Sequence, residues 1–260
     1  MKLLILASAF LLQDAAASTE AQGAARAWRD RQVEIEEFMK TGPIEREEEV
    51  PIGKSRPRRV FFAEGGAAHS AIAKEIPPGE VAGQFDSYMS EIAAYELDKL
   101  LDLDMVPPTV QRRYRGGSHS FQLWIPDARS LADIEGESPP HALRWLEQLY
   151  RQRVFDALIA NTDRNSGNIV IDPDWNMVLV DHSRSFSDTL KVLRPDRMQR
   201  IDRPFFERLK ALEYETIRTT LGQWLLNPRC ASALNARRNR IVKHFEALAA
   251  EKGEAAVFSQ

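Results

Sequence analysis

At 260 residues, with 43% hydrophobic and 28% charged residues, the chain is long enough to bury a full core and to hold one large domain or two lobes. A formal net charge of -3 gives no ground for a nucleic-acid partner, which needs a continuous basic surface. Cys230 is the sole cysteine, which excludes intramolecular disulfides and a cysteine-based metal or redox framework.

In chain order, Lys2 precedes an apolar run from Leu3 to Leu12, and Ala15-Ala16-Ala17 offers a small-residue cleavage site. This is the layout of a secretory signal peptide over residues 1–17, too short for a membrane span of about 20 residues, although an apolar N-terminal helix has the same composition. Such a leader implies a secreted or periplasmic protein with no transmembrane span after cleavage. Residues 18–49 read as an N-terminal helix, Ala21 to Lys40, stopped by Thr41-Gly42-Pro43, and a solvated connection through Glu45-Arg46-Glu47-Glu48-Glu49. The basic clusters Arg56 to Arg59 and Arg237 to Arg240 are short and flanked by acids, so they read as solvated faces.

Val60-Phe61-Phe62 and Ser70 to Ile76 flank Gly65-Gly66 and read as antiparallel strands joined by a turn. Lys74, among small apolar residues, either snorkels to solvent from an edge strand or meets a negative partner. Upstream, Gly53 and Ser55 in Ile52-Gly53-Lys54-Ser55 offer backbone amides to phosphates, a weak signal with a single glycine. Ser87 to Leu103 reads as a helix with Ile92, Tyr95, Leu100 and Leu103 on its apolar stripe. It carries two acids able to meet Lys74, Glu91 and Glu96, although a first-turn Glu also suits the helix dipole without further purpose. Ser120 to Pro126 reads as a strand ending at Pro, with Trp124 in core or rim packing. His119, beside Gly116-Gly117, reads as part of an exposed turn.

A helix from Leu143 to Ala160 leads into Asn161-Thr162-Asp163-Arg164-Asn165-Ser166-Gly167-Asn168. Two short apolar strands follow, Ile169 to Ile171 and Met177 to Val180, joined by the polar turn Asp172 to Asn176 and ending at Asp181-His182. The hairpin returns Asp181 beside Asn168, giving two oxygen donors suited to Mg²⁺. In phosphoryl transfer an Asp orients the attacking hydroxyl, an Asn five residues later holds metal, and an Asp beyond the next hairpin holds the metals bridging the phosphates. Asp163, Asn168 and Asp181 stand at those places, although Asp and Asn also populate loops for their turn geometry alone. The remaining helices, Pro204 to Leu221 and Ala231 to Ala250, carry apolar stripes for packing. Between them and Asp181, the arginines of Lys191 to Arg203 form a solvated stretch or an attraction for an acidic substrate or lipid headgroup.

Ser90 to Asp98 with Met105 to Val110, Asp163-Arg164, and Asp181 to Phe186 together resemble the Golgi secretory-pathway kinases. Related patterns occur in phosphatidylinositol 3- and 4-kinases and HipA-type kinases. The resemblance covers roughly residues 50 to 250. It implies an α+β, two-lobed protein-kinase-like fold, with a small antiparallel-sheet N-lobe and one key helix over 50–126 and a mostly helical C-lobe over 127–260. It implies ATP with Mg²⁺ or Mn²⁺, Lys74 on the phosphates, Glu91 on Lys74, Asp163 in catalysis, and Asn168 and Asp181 on metal. The acceptor is then a hydroxyl of a protein, lipid or small molecule. The chain departs from its relatives at Asn165, where many carry His, and at His182-Ser183, which replaces Phe-Gly of the D-F-G sequence. These departures keep a second expectation open, an inactive kinase-like nucleotide-binding or scaffold protein.

Overall fold

The computed structural model describes residues 26–50, 57–81 and 84–259, so the expected leader and the loop bearing Gly53 and Ser55 lie outside the described residues. The first helix among the described residues is α1 (Gln32–Thr41), followed by β1 (Ile44–Glu49), β2 (Arg58–Phe62) and β3 (Ser70–Lys74). A small hairpin, β4 (Gly79–Val81) and β5 (Gln84–Asp86), precedes helix α2 (Tyr88–Leu101), and β6 (Thr109–Tyr114) and β7 (Gly117–Leu123) follow it. Five of these strands build an antiparallel sheet in the order β1-β2-β3-β7-β6, and β4 and β5 pair only with each other.

The expected linker at residues 45–49 is therefore a strand. β1 pairs with β2 from Ile44 to Glu49 and lacks the period-two alternation of a half-buried strand because it is a mostly exposed edge. Its acids are matched instead by neighbours: Glu47 lies 2.9 Å from both Arg58 and Arg115. His119 is a second correction. It is buried in β7, 5% exposed, with Tyr114 and Phe121 edge-on to its ring. The turn is the glycine pair before it, where Gly116 has φ 87°.

The second half opens with the short β8 (Arg129–Ser130) and the long helix α3 (Ala142–Ile159), within a residue of its expected bounds at each end. Strands β9 (Ile169–Ile171) and β10 (Met177–Leu179) form the expected hairpin, paired Leu179 to Ile169, and β8 joins its outer edge. After β11 (Ile201–Asp202) come α4 (Arg203–Ala211), α5 (Tyr214–Leu221), α6 (Pro228–Lys252), α7 (Glu254–Val257) and β12 (Phe258–Ser259). The stretch expected as one helix from Pro204 to Leu221 is two, because Leu212 and Glu213 leave helical backbone geometry (ψ 106° and 150°).

Among the described residues, two apolar clusters form the core. One packs Trp28, Ile35 and Met39 against Val60, Phe62, Ala71 and Phe121 of the sheet. The larger gathers Tyr95 and Leu97 of α2 with Phe155, Leu158, Phe186, Phe205 and Phe245. Burying such side chains stabilises the fold by roughly 1.5–3 kcal/mol each. Helix α2 thus carries one face to the larger cluster while Glu91 of its first turn reaches Lys74 of the sheet.

Candidate active site

The site begins with the placement of Lys74. It ends β3, pairing with Ser120 of β7, so its strand is interior to the sheet and the edge-strand alternative does not apply. Its Nζ lies 2.7 Å from Glu91 Oε1 and 3.0 Å from Asp181 Oδ1. Glu96, the other acid on α2, pairs with Lys99 at 3.1 Å.

Ser87 fixes Glu91 by capping α2: its hydroxyl accepts from the Met89 amide at 3.0 Å, which sets the helix start and places Glu91 in the first turn. Glu91 is 1% exposed, and its second oxygen accepts the His182 amide at 2.9 Å. Burial opposes charge on both partners of the pair. The ammonium and the His182 contact nevertheless hold Glu91 below the usual carboxylate range. The two carboxylates likewise hold Lys74 above the usual lysine range. His182 itself is fully enclosed, edge-on to Phe155, and burial pushes its imidazole toward the neutral form.

Asp181 adopts left-handed geometry, φ 58°, at the exit of β10. That conformation is uncommon for a residue with a side chain and accompanies a carboxylate turned back to Lys74. Across the hairpin the Val180 amide donates to the Asn168 carbonyl at 3.2 Å, bringing Asn168 and Asp181 to the same end of the two strands. Asn168 Nδ2 donates to the Asp163 carbonyl at 3.0 Å, which leaves its amide oxygen as the atom for a cation. An Asn oxygen and a 39% exposed carboxylate suit a hard divalent metal that takes its other ligands from phosphate and water. Among the described residues no group of three or more His, Cys, Asp or Glu side chains converges to hold a metal alone.

Asp163 lies in the loop after α3. The helix stops because Ala160 turns left-handed, φ 53°. Asn161 Oδ1 then accepts the Asp163 amide at 2.9 Å, and Asn165 Oδ1 accepts the Gly167 amide at 2.9 Å to cap a short 3-10 turn ending at Asn168. Asn165 is thus a turn-former here. The Asp163 carboxylate faces Arg184 Nη1 at 3.3 Å.

Asp156, outside the set of expected site residues, organises this loop. It is buried at the end of α3 and receives Arg164 through both carboxylate oxygens, 3.0 and 3.2 Å from Nε, as well as Asn161 Nδ2 at 3.1 Å. Arg164 Nη1 also donates to the carbonyls of Asn168 and Val180, tying the loop to both strands of the hairpin. Its signal in the sequence was a charge inside the apolar run Val154-Phe155-Asp156-Ala157-Leu158-Ile159.

A five-stranded sheet with a lysine tied to a helix glutamate, above a helical lobe with an Asp loop and an Asn–Asp hairpin, is a kinase-like fold. No protein-family model matches the chain, and no curated protein matches it. Solved structures do. The crystal structure of the Golgi casein kinase with Mn/ADP bound matches at TM-score 0.60 and 16% identity, over 87% of this chain and 78% of that one. The structure of hydra Fam20 with sugar matches at TM-score 0.66 and 16% identity, over 86% and 91% of the two chains. The Helicobacter pylori proinflammatory kinase CtkA matches at TM-score 0.52 and 12% identity, over 82% and 97%. The likeness is one of fold, and among the described residues no helix is long and apolar enough to cross a membrane.

Proposed function

We propose that this chain is an ATP-dependent phosphotransferase that moves the γ-phosphoryl group to a hydroxyl of a protein, lipid or small molecule. The observation that carries the reading is the Lys74 ammonium held between Glu91 at 2.7 Å and Asp181 at 3.0 Å. A buried cation fixed between a helix and the metal-side carboxylate is the arrangement that grips nucleotide phosphates. The Mn/ADP complex of the similarly folded Golgi casein kinase agrees with this use of the cleft.

In this reading Lys74 binds the phosphates, Glu91 positions Lys74, and Asn168 and Asp181 hold Mg²⁺ or Mn²⁺, which neutralises phosphate charge when bound. Asp163 orients the acceptor hydroxyl and takes its proton. The expected phosphate contacts at Gly53 and Ser55 lie outside the described residues. With the expected leader at residues 1–17, the transfer takes place outside the cytoplasm. A nucleotide-binding scaffold without transfer is the second reading, favoured by one contact, the pairing of Asp163 with Arg184.

Purified protein incubated with labelled ATP, divalent metal and a panel of peptides, lipids and sugars tests both. Label transfer that is lost in Asp163→Ala and in Asp181→Ala is the expected result. A nucleotide-dependent rise in melting temperature without transfer to any acceptor selects the scaffold, and no nucleotide effect of any kind overturns both readings.

A further inference from the structure

Arg184 stands three residues beyond Asp181, and its guanidinium lies between two carboxylates. Nη1 donates to Asp163 Oδ2 at 3.3 Å, and Nε lies 3.5 Å from Asp86 Oδ2. Asp86 closes the β4–β5 hairpin just before α2, so Arg184 joins the sheet side of the cleft to the loop that carries Asp163. The other oxygen of Asp86 is buried with no hydrogen-bond partner among the described residues, so the carboxylate has Arg184 as its counterion there.

The backbone of Arg184 is fixed from both sides. Its carbonyl accepts from the Thr162 amide at 3.4 Å and the Thr162 hydroxyl at 3.3 Å, while the preceding Ser183 carbonyl accepts the Ser87 amide at 3.0 Å. The side chain is 24% exposed and hence within reach of a ligand in the cleft. A guanidinium has five N–H donors. Among the described residues its one hydrogen bond is the contact with Asp163, which leaves donors for a second anion.

We propose that Arg184 is a catalytic residue that grips the transferring phosphoryl group of a nucleoside triphosphate. The inference rests on the phosphotransferase reading. In that reaction the bond from the terminal phosphorus to the bridging oxygen breaks, and its electron pair leaves with the diphosphate. A bond from phosphorus to the acceptor oxygen forms, and the acceptor proton passes to Asp163. During transfer the negative charge spreads over three phosphoryl oxygens, so a planar, doubly donating cation stabilises it where a point charge does so less well.

Geometry places that cation at Arg184. The phosphoryl group travels from the Lys74–Asp181 side toward the hydroxyl at Asp163, and Arg184 is joined to Asp181 through His182 and Ser183 and to Asp163 by an ion pair. Exchanging the Asp163 oxygen for phosphoryl oxygens leaves Asp163 free to take the hydroxyl, while Asp86 keeps the guanidinium from swinging out of the cleft.

The test compares wild type, Arg184→Met and Arg184→Lys with Mg²⁺ and, in turn, ADP, ATP and a non-hydrolysable ATP analogue. Wild type is expected to gain more melting temperature from the analogue than from ADP. Arg184→Met keeps the ADP gain, loses the increment from the analogue, and transfers label or hydrolyses ATP about 100-fold more slowly, with kcat falling more than KM rises. Arg184→Lys, which keeps the charge and the Asp163 pair, folds as wild type and falls between them.

The role is overturned if Arg184→Met retains the analogue increment, transfers within threefold of wild type, or transfers faster, which would make Arg184 a lock on Asp163. Loss of the ADP and analogue gains together also overturns it, by showing a framework role. A wild-type protein that responds to no nucleotide sinks the phosphotransferase reading itself, which none of the variant outcomes does. A wild type that binds nucleotide but transfers to no acceptor selects the scaffold reading and overturns the catalytic role with it, while the variants' melting temperatures still report whether Arg184 contacts the terminal phosphate.

Discussion

Lys74 meets Glu91 at 2.7 Å across the interface between β3 and α2, in a pair of which the carboxylate is 1% exposed. A buried pair of this kind is poor evidence of stability, because both charges have lost their water. Removing one partner is another matter, since it strands the other charge. Lys74→Met is therefore expected to cost about 3–5 kcal/mol in urea unfolding and to abolish any nucleotide-dependent rise in melting temperature. The double variant Lys74→Met/Glu91→Leu should regain most of that stability without regaining nucleotide binding. If the double variant also binds nucleotide, the pair has no part in the site.

Asp156 holds the Asp163 loop through Arg164 and Asn161. Asp156→Asn keeps the shape and removes the charge, leaving the Arg164 guanidinium, 8% exposed, without its counterion. A loss of about 3 kcal/mol is expected, by the same logic of a stranded buried charge. The transfer rate should fall with little change in KM for ATP, because the displaced group is Asp163 rather than Lys74. A variant that loses stability but transfers at the wild-type rate would limit Asp156 to the framework.

The segment before the sheet supports α2 from behind. Trp28 is buried with Ile35 and Met39 against the sheet, and Glu36 on α1 accepts from Tyr95 Oη at 2.7 Å and Lys99 Nζ at 3.0 Å. Trp28→Ala is expected to cost about 3–5 kcal/mol. Hydrogen exchange should then rise in α2 more than in α6, which this segment does not help to bury. Uniform protection loss across both helices would show that the segment has no special bearing on α2.

How much of this was legible in the sequence follows from the kind of signal each element carries. α3 stood out as a helix-length segment ahead of the polar loop, and the β9–β10 hairpin as two short apolar runs joined by a Pro-containing turn, and the spacing of Asp163, Asn168 and Asp181 follows from them. β1 was hidden because an edge strand reading Ile-Glu-Arg-Glu-Glu-Glu has no buried face to announce itself; its partners, Arg58 and Arg115, are remote in sequence. Arg237 was read with a solvated basic cluster, yet it is 0% exposed. Its Nε donates to the Leu158 carbonyl at 2.8 Å and its Nη1 to the Ser187 carbonyl at 3.1 Å. Composition near a residue cannot report carbonyls that the fold brings to it from 50 and 79 positions away. The roles of Asp156 and Arg184 are hidden for the same reason, since each acts through partners that only the tertiary structure assembles.

Asp98 gives the fold a pH dependence of its own. It is buried on α2, and burial raises its carboxyl from the ordinary 3.8 to about 7, against the amides of Met105 and Val106 that donate to Oδ1 at 3.0 and 3.1 Å. A carboxyl whose folded value lies above its unfolded value binds a proton in the folded state that the unfolded chain has already released. Its contribution is complete below about pH 4 and is lost as pH rises through about 7. Stability should therefore decline across that window with a slope of up to roughly 1.4 kcal/mol per pH unit from this group. Asp98→Asn keeps an oxygen for the two amides and removes the titration, so its urea midpoint should vary less between pH 4 and 7 than that of wild type. Equal slopes in the two proteins would show that Asp98 is ionised in the folded state throughout, its charge borne by those amides.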